Sequence, residues 1–489
     1  MKNMIKKYPT LFTKQKQLRD YAKFNRSKQA LLKTASATLS LTIALSSTVF
    51  ASSFENRLKA EHAGRLVTQA FQLILDNYIG DVTAEQLYNS AMIGLSYPLD
   101  EYSYYLGEND LGNFMKSLSG EMHGIGITFN RSESKEFSIV EILENTPAYE
   151  AGLKSNDIII SVNNISTKDL SMDDFVEIIK EATSAISFIV TRDGKNHIFE
   201  ITPREISLKT VVVKKFEDLL DIDSGIDNSN RRYMELNSFS ETTDEEFKNA
   251  LIQLHADGVS ELLIDFRGNS GGYLDVALSI GKMIVPSGVI ISTVNNDGTS
   301  EVFTSSLSNN PFEKIVVLTD ENTASAAELI ASALQDAGVA TIVGEQTFGK
   351  GVMQTVYTLG YSSGMKLTNT EYFRRNGEKI NTIGVIPDIE IKQPHFINNP
   401  IILNNSSKSD KLPVAKEILE VLGYDVGEIN DHYNEETFES VKVFQESKGL
   451  NTTGFMDIET IDALNFSLRA YILENDPVLL EAYNIFINL

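Results

Sequence analysis

The chain has 489 residues, 42% hydrophobic and 22% charged, a globular balance with room for about three or four domains. Its formal net charge of −24 argues against a nucleic-acid partner, and the absence of cysteine excludes disulfides, zinc-thiolate sites and thiol nucleophiles. The histidines (62, 123, 197, 255, 395 and 432) are scattered and form no HExxH pattern, so neither a metal nor any other cofactor is called for.

In chain order, residues 1–33 carry ten Lys/Arg against one Asp, and an uncharged segment from Thr34 to Ala51 follows. Basic, then apolar, then small residues is the pattern of an export signal. The sequence is compatible with cleavage after Ala51 and with an uncleaved membrane anchor. Either way the acidic remainder is expected outside the cytoplasm, at the bacterial membrane or wall or secreted. Residues 52–118 read as helical, with apolar residues spaced by three and four from Phe54 to Leu75.

Residues 119–205 read as short strands (Ile125–Phe129, Ser138–Ile142, Asp157–Val162, Ser187–Thr191, His197–Ile201) with helical stretches at Pro147–Gly152 and Met172–Ala182. Residues 206–395 alternate strands and helices. The apolar runs Leu262–Phe266 and Ile315–Thr319 predict buried parallel strands, and helical patterns follow at Tyr273–Val285 and Ala324–Ala337. An Asn/Ser-rich linker at 396–411 precedes a mostly helical unit, 412–489.

The chemistry concentrates in Asn322-Thr-Ala-Ser-Ala-Ala-Glu-Leu-Ile330 and Gly344-Glu-Gln-Thr-Phe-Gly-Lys-Gly-Val-Met-Gln354. A serine hydroxyl needs a base to become a nucleophile. Lysine can be that base only where burial or nearby positive charge lowers its pKa. Ser325 opens a helical pattern, whose first N–H groups can stabilise an oxyanion. Taken singly, a serine there is most often a cap, and a lysine between glycines is most often a solvated loop residue. Gly344-x4-Gly349-Lys350 also resembles a phosphate loop, but Gly351 stands where a magnesium-holding Ser or Thr is needed, and a strand pattern follows in place of a helix.

Together these segments resemble the carboxy-terminal processing peptidases, serine proteases of the tail-specific type. Residues 322–328 resemble that family's nucleophile motif and 344–351 its lysine motif. Ile264-Asp-Phe-Arg-Gly-Asn-Ser-Gly-Gly-Tyr-Leu-Asp275 resembles its glycine turn, and 372–377 and 384–389 resemble its closing strands. The resemblance implies Ser325 as nucleophile, Lys350 as general base, Gln354 as the side chain positioning Lys350, and the N–H groups of Gly271 and Ala326 as oxyanion donors. Asp336 matches an acidic position of some members. The implied fold is multidomain α/β and α+β: a crotonase/ClpP-like protease core with an inserted PDZ domain, an N-terminal helical segment and a small C-terminal helical domain.

Gly124-Ile-Gly-Ile-Thr-Phe129, with Glu141–Lys154 and Asn156–Asn163, resembles a PDZ domain. Such a domain captures a chain end as an added strand. The implied substrate contacts are Gly124, Ile125, Gly126 and Ile127, and the implied partners are proteins bound by their C-terminal ends. Asn156 replaces a common glycine, and Glu181–Ser184 stands where members usually have a glycine-containing turn after a basic residue, for which Lys180 substitutes. Residues 414–464 resemble a peptidoglycan-binding-like domain, so cell-wall peptidoglycan is a further partner. A homodimer formed through the helical ends is also implied. The competing reading is a catalytically silent PDZ and wall-binding scaffold. A related thioester-processing enzyme would need an acyl-CoA loop that the sequence lacks.

Overall fold

The computed structural model describes residues 55–131, 136–220, 226–397, 402–404 and 407–487. The signal-like segment 1–51 lies outside them. Among the described residues no helix is long and apolar enough to cross a membrane.

Among the described residues, 55–97 form a separate unit, with helices α1 (55–77) and α2 (Ala84–Ser96). Thr83 starts α2 with a reciprocal cap. Its Oγ1 accepts the Gln86 N–H at 3.1 Å, and Gln86 Oε1 accepts the Thr83 N–H at 2.9 Å.

The larger unit begins with strand β1 (Tyr104–Leu106), helix α3 (Glu108–Ser119) and β2 (Glu121–Gly124). A PDZ-type module follows. Strands β3 (Ile127–Arg131), β4 (Phe137–Ile142), β5 (Ile158–Val162), β7 (Ile186–Arg192) and β8 (Lys195–Ile201) form one antiparallel sheet in that order, with the short β6 (Ile165–Ser166) on β5. Helices α4 (Pro147–Ala151) and α5 (Met172–Glu181) complete it. Its core includes Phe137, Phe175 and Phe188, and the Phe137 and Phe175 rings stack at 4.5 Å between centroids. Asn156 takes φ +69°, the left-handed conformation that its glycine-like place in the pattern demands. Strand β9 (Arg204–Ser207) returns to pair with β2.

The α/β core is built on a six-stranded sheet. Its strands are β10 (Val211–Lys214), β11 (Arg231–Leu236), β12 (Glu261–Asp265), β15 (Lys314–Thr319), β16 (Ala340–Gly344) and β19 (Ile389–Glu390), in that order. All pairs from β11 onward are parallel. That agrees with the continuous apolar runs: Leu262, Leu263, Val316 and Val317 are all fully buried. Helices α6 (Thr243–Ala256), α7 (Leu274–Ile284) and α8 (Ala326–Asp336) share one core with Leu262, Ile264, Ile315 and Val317. A second sheet runs β1, β18 (Gly364–Phe373), β13 (Gly288–Asn295), β14 (Ser300–Ser305), with β17 (Val352–Thr358) on β18.

The C-terminal segment divides in a way its sequence did not suggest. Helices α9 (Lys411–Val421), α10 (Glu435–Ser447) and α11 (Ile458–Asn475) enclose their own core of Leu412, Ile418, Val441, Phe444 and Leu464. Helix α12 (Pro477–Ile487), expected within the same unit, instead packs Val478, Leu479, Ala482, Tyr483 and Phe486 against Leu263, Val316, Leu318 and Val343 of the central sheet. The reason is the alternation of those strands: Leu262 and Val317 face α6–α8, so Leu263, Val316 and Leu318 need cover on the opposite side.

Candidate active site

Ser325 lies between β15 and α8, where the parallel sheet ends. Asp320 shapes this turn. Its carboxylate accepts the Asn322 N–H at 3.1 Å, and it also accepts the Gly268 N–H of the neighbouring glycine turn at 3.0 Å. Ser325 itself has φ +56° and ψ −116°, a conformation rarely adopted by L-residues and costing about 1–3 kcal/mol. Two bonds flank it: Ser325 N–H to Glu328 Oε2 at 2.7 Å, and Ala324 N–H to Asn269 O at 2.9 Å.

Glu328 is the residue that sequence reasoning missed. It is fully buried, one turn into α8. Besides Ser325, its carboxylate accepts the N–H of Gly349 at 2.7 Å, the N–H of Lys350 at 2.9 Å and the Thr347 hydroxyl. One carboxylate thus ties the serine turn to the lysine loop. Burial pushes its pKa up, opposed by those hydrogen bonds. The only sequence signal was its spacing: three residues after a helix-start serine is the capping-box position.

Lys350 is half-buried, with Nζ 5.0 Å from the Tyr102 ring centroid. Burial lowers its pKa below the ordinary lysine value, and the positive charge of Lys366 lowers it further. Glu328 and Asp100 oppose the shift. Tyr372 is buried beside this loop, and its hydroxyl donates to Lys350 O. Tyr102 and Asp100 come from the segment just before β1, a stretch read only as helical. A three-residue strand is too short to leave a period in the sequence.

Gln354 does not hydrogen-bond Lys350 here. Its Nε2 donates to Thr368 Oγ1 at 3.1 Å and lies 3.4 Å from Val352 O. The β17–β18 register shifts between Met353 and Gln354, and such a bulge re-aims a side chain. Gly271 lies hard against the serine: a Cβ there would sit 2.8 Å from Ser325 Cβ and 2.9 Å from Ala326 N. Its φ of +100° also demands glycine. Its N–H, however, is donated to Asn269 Oδ1 at 2.9 Å. Ala326 is the first residue of α8 and buried. Asp336 stands at the other end of that helix, ion-paired with Arg374 at 2.6 Å.

In the PDZ-type module, β3 is an edge strand of its sheet. It borders a cavity of about 1170 Å³, which residues Gly124 to Phe129 line with Val176, Ile179 and Lys180 of α5. Gly126 has φ +82°, and a Cβ there would fall 2.3 Å from Thr146 Cβ.

The chain matches peptidase family S41 over residues 232–391, a PDZ domain over 138–192 and a putative peptidoglycan binding domain over 409–464. Fold and matches together define a serine-type peptidase with a PDZ domain. Across 410 residues it is 32% identical to the carboxy-terminal processing protease CtpB of Bacillus subtilis (strain 168), spanning 82% of this chain and 83% of that one. With CtpA of the same organism it shares 28% over 419 residues, 84% and 87% of the two chains. The chain belongs to the carboxy-terminal processing proteases of family S41. The solved photosystem II D1 C-terminal processing protease aligns at 23% identity with a TM-score of 0.42, over 67% of this chain and 92% of that one.

Proposed function

We propose that this peptidase is an exported endopeptidase that takes hold of substrate C-termini with its PDZ domain and cleaves with Ser325 and Lys350. Neutral Lys350 accepts the Ser325 hydroxyl proton as Oγ attacks the scissile carbonyl. The lysine then returns that proton to the leaving amine, and water resolves the acyl-enzyme by the same route. The N–H groups of Gly271 and Ala326 receive the oxyanion. For this, the Gly271 N–H has to turn from Asn269, and Gln354 has to leave Thr368 to orient Lys350. The observation that supports the reading most is the buried Glu328 carboxylate, which accepts N–H groups from both Ser325 and Lys350.

Substrate ends add as a strand to the free edge of β3, with their terminal carboxylate at Gly124, Ile125, Gly126 and Ile127. The basic and apolar N-terminus carries the chain across the membrane, and the helical C-terminal module holds it at cell-wall peptidoglycan. Two copies assemble through their helical ends.

The test uses the full-length chain in detergent with an unstructured protein substrate. A serine-directed active-site probe is expected to label Ser325, and both Ser325→Ala and Lys350→Ala are expected to abolish cleavage. Full activity in either variant would sink the assignment. Failure of the probe to label Ser325 would favour a silent PDZ and wall-binding scaffold.

A further inference from the structure

Asp476 is the single residue between α11, the last helix of the C-terminal module, and α12, which packs on the protease core. Its carboxylate meets the Arg267 guanidinium in a two-pronged pair, with Nη1 to Oδ1 at 2.9 Å and Nη2 to Oδ2 at 2.8 Å. Both side chains are about five-sixths buried, at 15% and 16% exposure. Arg267 also binds Asp265 at 2.6 Å, and the Tyr233 hydroxyl holds Asp265 at 2.8 Å. Asp476 is anchored in turn, since its Oδ1 accepts the Leu479 N–H at 2.9 Å.

Arg267 opens the glycine turn that lies against the serine. The Gly268 N–H binds Asp320 of the serine turn, the Asn269 carbonyl accepts the Ala324 N–H, and Gly271 touches Ser325. Paired bonds to a planar guanidinium fix its orientation as well as its place. The core fastens Arg267 through Asp265 at one side, and the junction between α11 of the C-terminal module and α12 fastens it through Asp476 at the other.

We propose that Asp476 is a positioning residue for the glycine turn, acting through Arg267, so that the C-terminal module sets the geometry in which the N–H of Gly271 meets a developing oxyanion. The catalytic part rests on the role proposed above for Gly271. The positional part does not. The module therefore acts on turnover as well as on location. A displacement of α11 has no intervening loop to absorb it before reaching Asp476.

The test compares the full-length chain with Asp476→Asn, which keeps the shape and removes the charge, and with Asp476→Glu, which restores it. Backbone hydrogen exchange across residues 266–273 is expected to quicken at least fivefold in the Asn variant, with exchange in β16 unchanged. It should return toward the parent rate in the Glu variant. On a peptide substrate kcat per probe-labelled Ser325 is expected to fall about tenfold with KM within twofold. Unchanged exchange across the turn overturns the proposal whatever the activity. Quickened exchange with unchanged kcat per labelled site overturns its catalytic part. Should the Asn variant unfold, Arg267→Lys, which keeps the charge and loses the paired geometry, is read by the same two measurements.

Discussion

The Glu328 carboxylate accepts the Lys350 N–H at 2.9 Å from inside the first turn of the helix that Ser325 begins. Two segments 22 residues apart in sequence are thereby held by one buried group. Glu328→Gln keeps one acceptor oxygen but turns an amide NH2 toward two of the four donors. Each buried donor left unpaired costs about 1–3 kcal/mol. Activity is expected to fall about a hundredfold with a lower Tm, measured by turnover and calorimetry on the same sample. Parental values of both would show that the bridge is dispensable.

The depressed pKa of Lys350 sets the expected pH dependence. A lysine acting as base works only when neutral, so turnover should rise with pH and level off below the ordinary lysine range. Lys366→Met removes the neighbouring positive charge, so the Lys350 pKa rises and the ascending limb of the kcat profile moves to higher pH. A limb that stays put, or moves to lower pH, would contradict this account.

Gly271→Ala places a methyl group 2.8 Å from Ser325 Cβ at a φ of +100°. Cleavage is expected to be lost below detection, together with labelling of Ser325 by an active-site probe. Gly258 also has positive φ, but a Cβ there meets nothing within 4 Å, so Gly258→Ala should cost about 1–2 kcal/mol and leave activity intact.

A chain stopped after Asn475 loses the cover over Leu263, Val316, Leu318 and Val343. Each large apolar side chain laid open contributes about 1.5–3 kcal/mol, and four such losses reach the order of the whole stability of a domain. The truncated protein is expected in the insoluble fraction, while the separate core of Leu412, Val441 and Phe444 keeps its own packing. Soluble, active material from this truncation would refute the assignment of α12 to the core.

Much of the candidate site could be read in the sequence because its parts are local. Ser325, Lys350 and Gly271 sit in short motifs whose glycines are needed for positive φ or close approach. The β12 and β15 strands could be read from unbroken apolar runs. What escaped were groups that matter only through distant partners. Glu328 looks like an ordinary helix residue until Gly349 and Lys350 fold over it. Tyr102 sits in a segment too short for periodicity. Gln354 had the expected spacing, but a bulge turned it toward Thr368. The apolar positions of α12 suit a three-helix bundle as well as a sheet face, so its partner could not be chosen from pattern alone.

Helix α12 also imposes an order on biosynthesis. The strands it covers are made early, yet their second face stays open until the whole 411–475 module has left the ribosome and α12 follows. The glycine turn receives its last fastening, Asp476 to Arg267, at the same moment. A nascent chain whose last residues are still unmade therefore carries its Ser325 turn on an unfinished sheet, and the second face closes only after the peptidoglycan-binding-like module has been made.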